Sequence, residues 1–170
     1  KGQTPPADEC RAIYAAHDKF RAAHVARFTR VFHVSDSGIT ADDAALSKLV
    51  AAEGSLVLTA HPHRCLLLYP SPAWQPIRDQ ILKASSLDSR TAAIKRVLVG
   101  NARSEALDSA GRLLVAPELR EYAQFEKTVY LVGMGSHFEI WSEAGWKQQN
   151  DLAAEALSGD LPPGFGDLVL

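Results

Sequence analysis

The sequence predicts an α+β fold, on three observations. Short apolar runs come in pairs, 55–59 with 65–69 and 128–133 with 138–142, each pair separated by turn residues. A segment of helical periodicity follows each pair, one opened by Pro70 and Pro72, the other carrying Trp146. The order then repeats: Tyr69 stands five residues before Trp74, and Trp141 five before Trp146, with a helix beginning between the two aromatics. Neither β-β-α unit has enough apolar strand to bury both its faces, so two units packed around one core is the natural arrangement.

Taken in order, residues 1–9 are polar, with Pro5 and Pro6, and read as a loose tail. Cys10 to about Phe32 reads as a helix, with Ile13, Phe20 and Phe28 among many alanines and Arg11, Lys19, Arg21, Arg27 and Arg30 distributed around it. Val34 to Thr40 is turn-rich around Gly38, and Asp42–Ala52 reads as a second short helix. Strands at Ser55–Thr59 and Cys65–Tyr69 are joined by His61-Pro62-His63-Arg64. Pro70 and Pro72 stop the second strand and start a helix with Trp74, Ile77 and Ile81 on one face. Asp88 is placed to cap a helix running to about Val99, with Ile94, Val97 and Leu98 inward and Gly100 closing it. Strands follow at Ser104–Leu107, Arg112–Val115, Thr128–Gly133 and Phe138–Ser142, then a helix holding Trp146, Leu152 and Leu157. The organisation expected is an atypical, partly helical region at 1–45, a first unit at 46–100, a second at 101–157 and a flexible tail at 158–170.

At 170 residues the chain suits one domain, or two small similar ones sharing a core. Hydrophobic content of 46% and charged content of 22% fit an ordinary soluble protein. The net charge of −2 conceals an uneven layout, because residues 1–34 hold six Lys/Arg against three Asp/Glu and the remainder twelve against seventeen. An acidic body argues against a non-specific nucleic-acid coat and leaves room for a local basic face. Two cysteines, Cys10 and Cys65, do not make a disulfide framework or a zinc site, and Cys65 reads as a small buried hydrophobe. No apolar run reaches the roughly 18 residues that would span a bilayer, and residues 1–12 lack the apolar core of a signal peptide. The expected location is the cytoplasm.

The stretch most suggestive of function is Asp108-Ser-Ala-Gly-Arg-Leu-Leu-Val-Ala-Pro-Glu-Leu-Arg120. Gly111 suits a tight turn after Asp108, Leu113 to Val115 supply strand propensity, and Pro117 opens a helix that carries Arg120. An arginine leaving a turn can reach a nucleic-acid groove, bidentate to guanine or onto phosphate. The alternative is that Arg112 pairs with Asp108, and Arg120 with Glu118 or Glu121, merely fixing the hairpin. The two roles are compatible.

The surrounding words sharpen this. His61-Pro-His-Arg-Cys-Leu-Leu-Leu-Tyr-Pro70 precedes Trp74; Leu98-Val-Gly-Asn-Ala-Arg-Ser-Glu105 leads into the box; Val129–Gly133 and Phe138–Trp141 follow it, with Trp146 beyond. From about Leu49 to Leu170 this resembles the MraZ family of bacterial transcriptional regulators. The resemblance implies a pair of swapped-hairpin, AbrB-like barrels, with helices around them. It also implies sequence-specific binding to direct repeats in double-stranded DNA, in the promoter of the cell-division and cell-wall gene cluster. The family members assemble into rings of like subunits, without cofactor and in association with the nucleoid. On this chain the DNA contacts would be Arg112 and Arg120, with Ser109 and Gly111 beside them, held by a structural turn of Asp108, Gly111 and Pro117. The family's first box would fall near residues 32–44, but Phe32–Ala44 holds neither Gly-Arg nor Pro, and Asp36-Ser-Gly38 is a faint echo. The resemblance resumes near Leu46–Leu49, as expected of a misframed, replaced or re-engineered 5′ region. A single box predicts weaker DNA binding than that of a two-box relative.

Other constellations are blander. Arg90, Lys95, Arg96 and Arg103 read as a solvated helical face. His61 and His63 have chelating spacing but no third ligand beyond Cys65, so no metal is expected. Ser104, His137 and Asp108 could be assembled into a triad on paper, yet Ser104 lacks a nucleophile-elbow setting, and no phosphate-binding or dinucleotide loop occurs. An enzyme is not expected. Tyr69, Trp74, Phe138, Trp141 and Trp146 read as core and subunit-contact residues and not as a base-stacking platform. The rival to a DNA-binding regulator is therefore an oligomeric assembly protein with weakened or no DNA binding.

Overall fold

The computed structural model describes residues 29–35, 38–40, 55–109 and 112–157, with 29–40 described by their backbone pairing. The expected 10–28 and 42–52 helices, the 1–9 and 158–170 tails, and Gly111 lie outside the described residues. Helices and one antiparallel sheet make the fold α+β.

Strand β1 (Thr29–Ser35) and β2 (Gly38–Thr40) come first, then the hairpin of β3 (Leu56–His61) and β4 (Cys65–Pro70) with helix α1 (Ser71–Lys83) behind it. Helix α2 (Ser89–Leu98), the short strands β5 (Arg103–Glu105) and β6 (Arg112–Leu113) and helix α3 (Pro117–Tyr122) follow. A second hairpin, β7 (Thr128–Gly133) and β8 (Phe138–Ser142), runs into helix α4 (Glu143–Leu157). The strands lie in the order β5-β3-β4-β8-β7-β1-β2-β6.

β3 and β4 read LVLTAH and CLLLYP, with no polar alternation, because both faces of this hairpin are covered. The period of two sorts the side chains into two cores. Leu56, Leu58, Ala60, Leu66 and Leu68 face Leu113, Val115, Leu119, Ala123, Val129, Phe138 and Ile140. Val57, Cys65, Leu67 and Tyr69 face the other way, against Trp74 of α1 and Trp141 of β8, with Ile77, Ile81, Leu98 and Trp146 packed alongside. Each wholly buried leucine contributes about 1.5–3 kcal/mol. Thr59, the buried polar residue among them, donates its hydroxyl to the Leu98 carbonyl and so joins β3 to the end of α2.

The two hairpins lie side by side, with Leu66↔Ile140, Leu67↔Glu139 and Leu68↔Phe138 in register. Their numbering keeps one offset. β3 and β7 start 128 − 56 = 72 residues apart, β4 and β8 end 142 − 70 = 72 apart, and α1 and α4 start 143 − 71 = 72 apart. Leu67 therefore pairs with the residue 72 places on. The flanking strands cross over: β5 joins β3 at Leu56↔Glu105, and β1 joins β7 at His33↔Thr128, again 72 residues apart on each strand. Each hairpin is thus extended by a strand from the other half of the chain.

Several expectations need correction. Residues 29–32 belong to β1 and not to the end of a helix; of the passage expected to be turn-rich, Val34 and Ser35 complete β1 and Gly38–Thr40 form β2. Thr29, Val31, Phe32 and Val34 suit a strand, and the edge of β7 offers its backbone five pairs from Thr29↔Val132 to His33↔Thr128; tertiary pairing overrides an alanine-rich helical context. Ser104–Leu107 contracts to Arg103–Glu105, with Leu107 keeping one bridge to Leu113. Arg112–Val115 contracts to two residues. Ile94, expected inward, is about half exposed, at 47%. α2 is otherwise as expected at its start: Asp88 accepts from the Thr91 N–H and hydroxyl, both at 2.7 Å, which holds its carboxyl below the usual range. At its end, any side chain on Gly100 would meet the Arg96 carbonyl.

Candidate nucleic-acid interface

The candidate site is built from the segment that connects β5 to α3. Asp108 ties the turn at three points. Its N–H donates to the Arg112 carbonyl at 3.0 Å, its Oδ1 accepts from the Arg112 N–H at 2.9 Å, and its Oδ2 accepts from Arg112 Nε at 2.7 Å. The carboxylate therefore closes the backbone and orients the guanidinium plane together. Both side chains remain a little over a third exposed, at 39% and 38%. Ser109, at the turn, is exposed.

Side-chain alternation anchors β6 and the residues after it. Leu113 and Val115 are buried and Leu114, between them, is 56% exposed, so the two inward residues nail the turn to the core. β6 also pairs with β2, placing Arg112 opposite Thr40. Pro117 starts α3 at a position whose missing N–H costs nothing, and Leu119 and Ala123 bury its inner side. Arg120, on the same short helix, is half-buried and donates from Nε to the Val115 carbonyl at 2.7 Å. Arg120 thus has a backbone partner that the sequence reading, which weighed Glu118 or Glu121, did not include. Glu118 instead meets Arg103 at 3.2 Å, and bonding to its own N–H and to Arg103 keeps its carboxyl low.

Sequence reasoning missed the contact between this segment and the β3–β4 turn. The Tyr122 hydroxyl donates to the His61 carbonyl at 2.9 Å, and the Arg64 guanidinium sits over the Tyr122 ring, 4.8 Å from its centroid. The one available signal was an arginine ending a Pro-containing turn. Among the second basic set, Lys95 reaches back to the Leu82 and Ala84 carbonyls and the Ser86 hydroxyl, sealing the end of α1, while Arg90 and Arg96 are exposed.

The remaining candidates are scattered. Ser104 is on edge strand β5 opposite Val57, Asp108 is in its turn, and His137 stacks on Tyr69 at 4.5 Å before β8. Burial, with His61 nearby, drops the His137 pKa to about 4. His61 and His63 contact edge to face at 4.7 Å, and burial pushes the Cys65 thiol up to about 12. Among the described residues no three His, Cys, Asp or Glu side chains form a metal-holding group. Tyr69, Trp74, Phe138 and Trp141 are buried, and Trp146 is half-buried beside Tyr130. No described helix is long and apolar enough to cross a membrane.

Fold and site together define a class: an α+β protein that presents arginines on a carboxylate-locked turn and the short helix after it. The family described as "MraZ protein, putative antitoxin-like" matches residues 98–160, which include that turn and helix. Relatives named transcriptional regulator MraZ extend the match. The protein of Dechloromonas aromatica (strain RCB) is 90% identical over 122 residues, 72% of this chain and 82% of the relative. That of Aromatoleum aromaticum is 58% identical over 123 residues, 72% and 83% of the two chains. That of Methylobacillus flagellatus is 59% identical over 111 residues, 65% and 75%. The chain belongs to the MraZ family.

Proposed function

We propose that the protein is a sequence-specific, DNA-binding transcriptional regulator that occupies direct repeats in the promoter of the cell-division and cell-wall gene cluster. The observation that carries this reading is Arg112, held by Asp108 at 2.7 Å on an exposed turn beside the helix of Arg120. A guanidinium whose plane is set before binding loses less entropy on meeting a base edge or phosphate. Arg112 and Arg120 are the contacting side chains, with Ser109 and Gly111 at the turn; Asp108 and Pro117 position them. Neither a cofactor nor a covalent step is required, and the protein works in the cytoplasm at the nucleoid.

The two halves, related by the 72-residue offset, are read as copies of one β-β-α unit that exchange a flanking strand, a pair of swapped-hairpin barrels. Several copies of the chain form a ring, so that weak boxes act on several repeats at once. Within each copy, Tyr69 and the tryptophans pack the two halves onto one core. The offset sets Thr40 where the second half has Arg112 and Lys48 where it has Arg120, so each subunit offers one complete box.

Fluorescence anisotropy with a direct-repeat duplex and a scrambled duplex tests the reading. Specific binding, lost on Arg112→Ala and Arg120→Ala, is expected, with lower affinity than a two-box relative in a parallel gel shift. Equal binding to both duplexes would overturn it and favour the rival, an assembly protein, for which the exposed Leu82, Leu87, Met134 and Leu152 offer contact area.

A further inference from the structure

The turn between β3 and β4 carries a residue that its backbone disfavours. His61 and Cys65 are the last pair of the ladder, so the loop is Pro62-His63-Arg64. The Arg64 N–H donates to the His61 carbonyl at 3.0 Å, and Arg64 itself takes φ 63, in the left-handed region. Three-residue hairpin loops of this form ordinarily give that position to glycine. The other hairpin closes on a longer loop, Met134 to His137, and there the residue of positive φ is a glycine, Gly135 at φ 85. An arginine kept in a strained conformation on an exposed tip points to a use for its charge.

Its surroundings say which use. The His61 carbonyl that closes the turn also receives the Tyr122 hydroxyl at 2.9 Å, so the tip is clamped to α3. Arg64 lies across the Tyr122 ring, two residues beyond Arg120 in the sequence. The cation is thereby seated beside the helix of the box and not left on a free tether, while Arg64 as a whole stays exposed. Tyr122 supplies a face that favours a guanidinium without neutralising it.

We propose that Arg64 is a second contact to DNA, reaching a backbone phosphate next to the site of Arg112 and Arg120. The inference rests on the reading of the box as the DNA-binding element. A guanidinium grips phosphate oxygens in a bidentate way, and such a contact adds affinity without reading sequence. Arg64 therefore adds to binding on any duplex, whereas Arg112 carries the difference between duplexes.

The test measures affinity of the full chain for the direct-repeat and scrambled duplexes over a series of salt concentrations, for Arg64→Gly, Arg64→Lys and Arg112→Ala. Arg64→Gly suits the turn and preserves the fold. It is expected to weaken both duplexes by the same factor, about 3–10-fold, and to reduce the slope of log K against log salt by about one. Arg64→Lys keeps the slope. If Arg64→Gly retains the wild-type slope while Arg112→Ala abolishes specific binding, Arg64 is only a clamp and the inference falls. If Arg112→Ala also binds as the wild type does, the reading of the box fails first and the inference with it.

Discussion

The two β-hairpins have matching outer limits but different tips and surroundings. β3 and β4 are buried on both faces along nearly their whole length, whereas β7 keeps Tyr130, Leu131 and Val132 only half-buried. At the offset of 72, Leu58 corresponds to Tyr130 and Cys65 to His137. The tips differ as well, since one assigns its left-handed residue to Arg64 and the other to Gly135. One backbone plan thus carries a dry hairpin with a charged tip and a wetter one with a neutral tip. Differences of burial set the energetics, and differences at the tips set what each end can bind.

The largest effect expected from this contrast is in the core. Leu58 is wholly buried, so Leu58→Ala leaves a cavity and lowers unfolding free energy by about 2–5 kcal/mol. Leu131, on the strand that corresponds to β3 and only half-buried, loses less on the same change. Urea titration of both variants measures the difference, and equal losses would mean that the two hairpins are not as unlike as their burial indicates.

The tips offer the next test. Gly135→Ala forces a side chain into φ 85 and costs about 1–2 kcal/mol. Thermal melting of the variant checks it, and an unchanged midpoint would show that the β7–β8 turn relaxes out of its positive φ.

His137 and Cys65 separate the hairpins by pH. The His137 pKa falls from 6.5 unfolded to about 4 folded, chiefly through burial, so the unfolded chain binds the extra proton between those values. The stability this histidine allows is present above pH 6.5 and declines as pH falls towards about 4. Cys65, pushed up to about 12, is neutral throughout that window. His137→Cys should therefore flatten the acid limb of a plot of urea midpoint against pH. A limb of unchanged slope would place its origin in other groups.

Much of this contrast was legible in the residues. The limits of β7 and β8 follow from apolar runs ended by glycine and by the helix start, and Pro70 with Pro72 marks the junction of β4 and α1. The Asp108–Arg112 lock spans four residues and could be foreseen as a local turn. β1 could not, because what makes it a strand is the edge of β7 about a hundred residues away. Nor could the role of Tyr122, whose partner His61 lies 61 residues earlier. Local chemistry was readable, while contacts between the halves needed the register of the sheet.

The smallest effect is the most instructive about the charged tip. Arg64→Gly removes a left-handed arginine, a gain of about 1 kcal/mol or somewhat more. It also removes the guanidinium from the Tyr122 ring, a loss of about 0.5–1 kcal/mol at an exposed site. The two nearly cancel, so the melting temperature should move little, in contrast to the cost at Gly135. A large drop would mean that the clamp on Tyr122 holds α3 to the sheet and that Arg64 is retained for stability. A near-neutral result leaves stability unable to explain an arginine where glycine fits better, and returns the explanation to what its charge meets outside the protein.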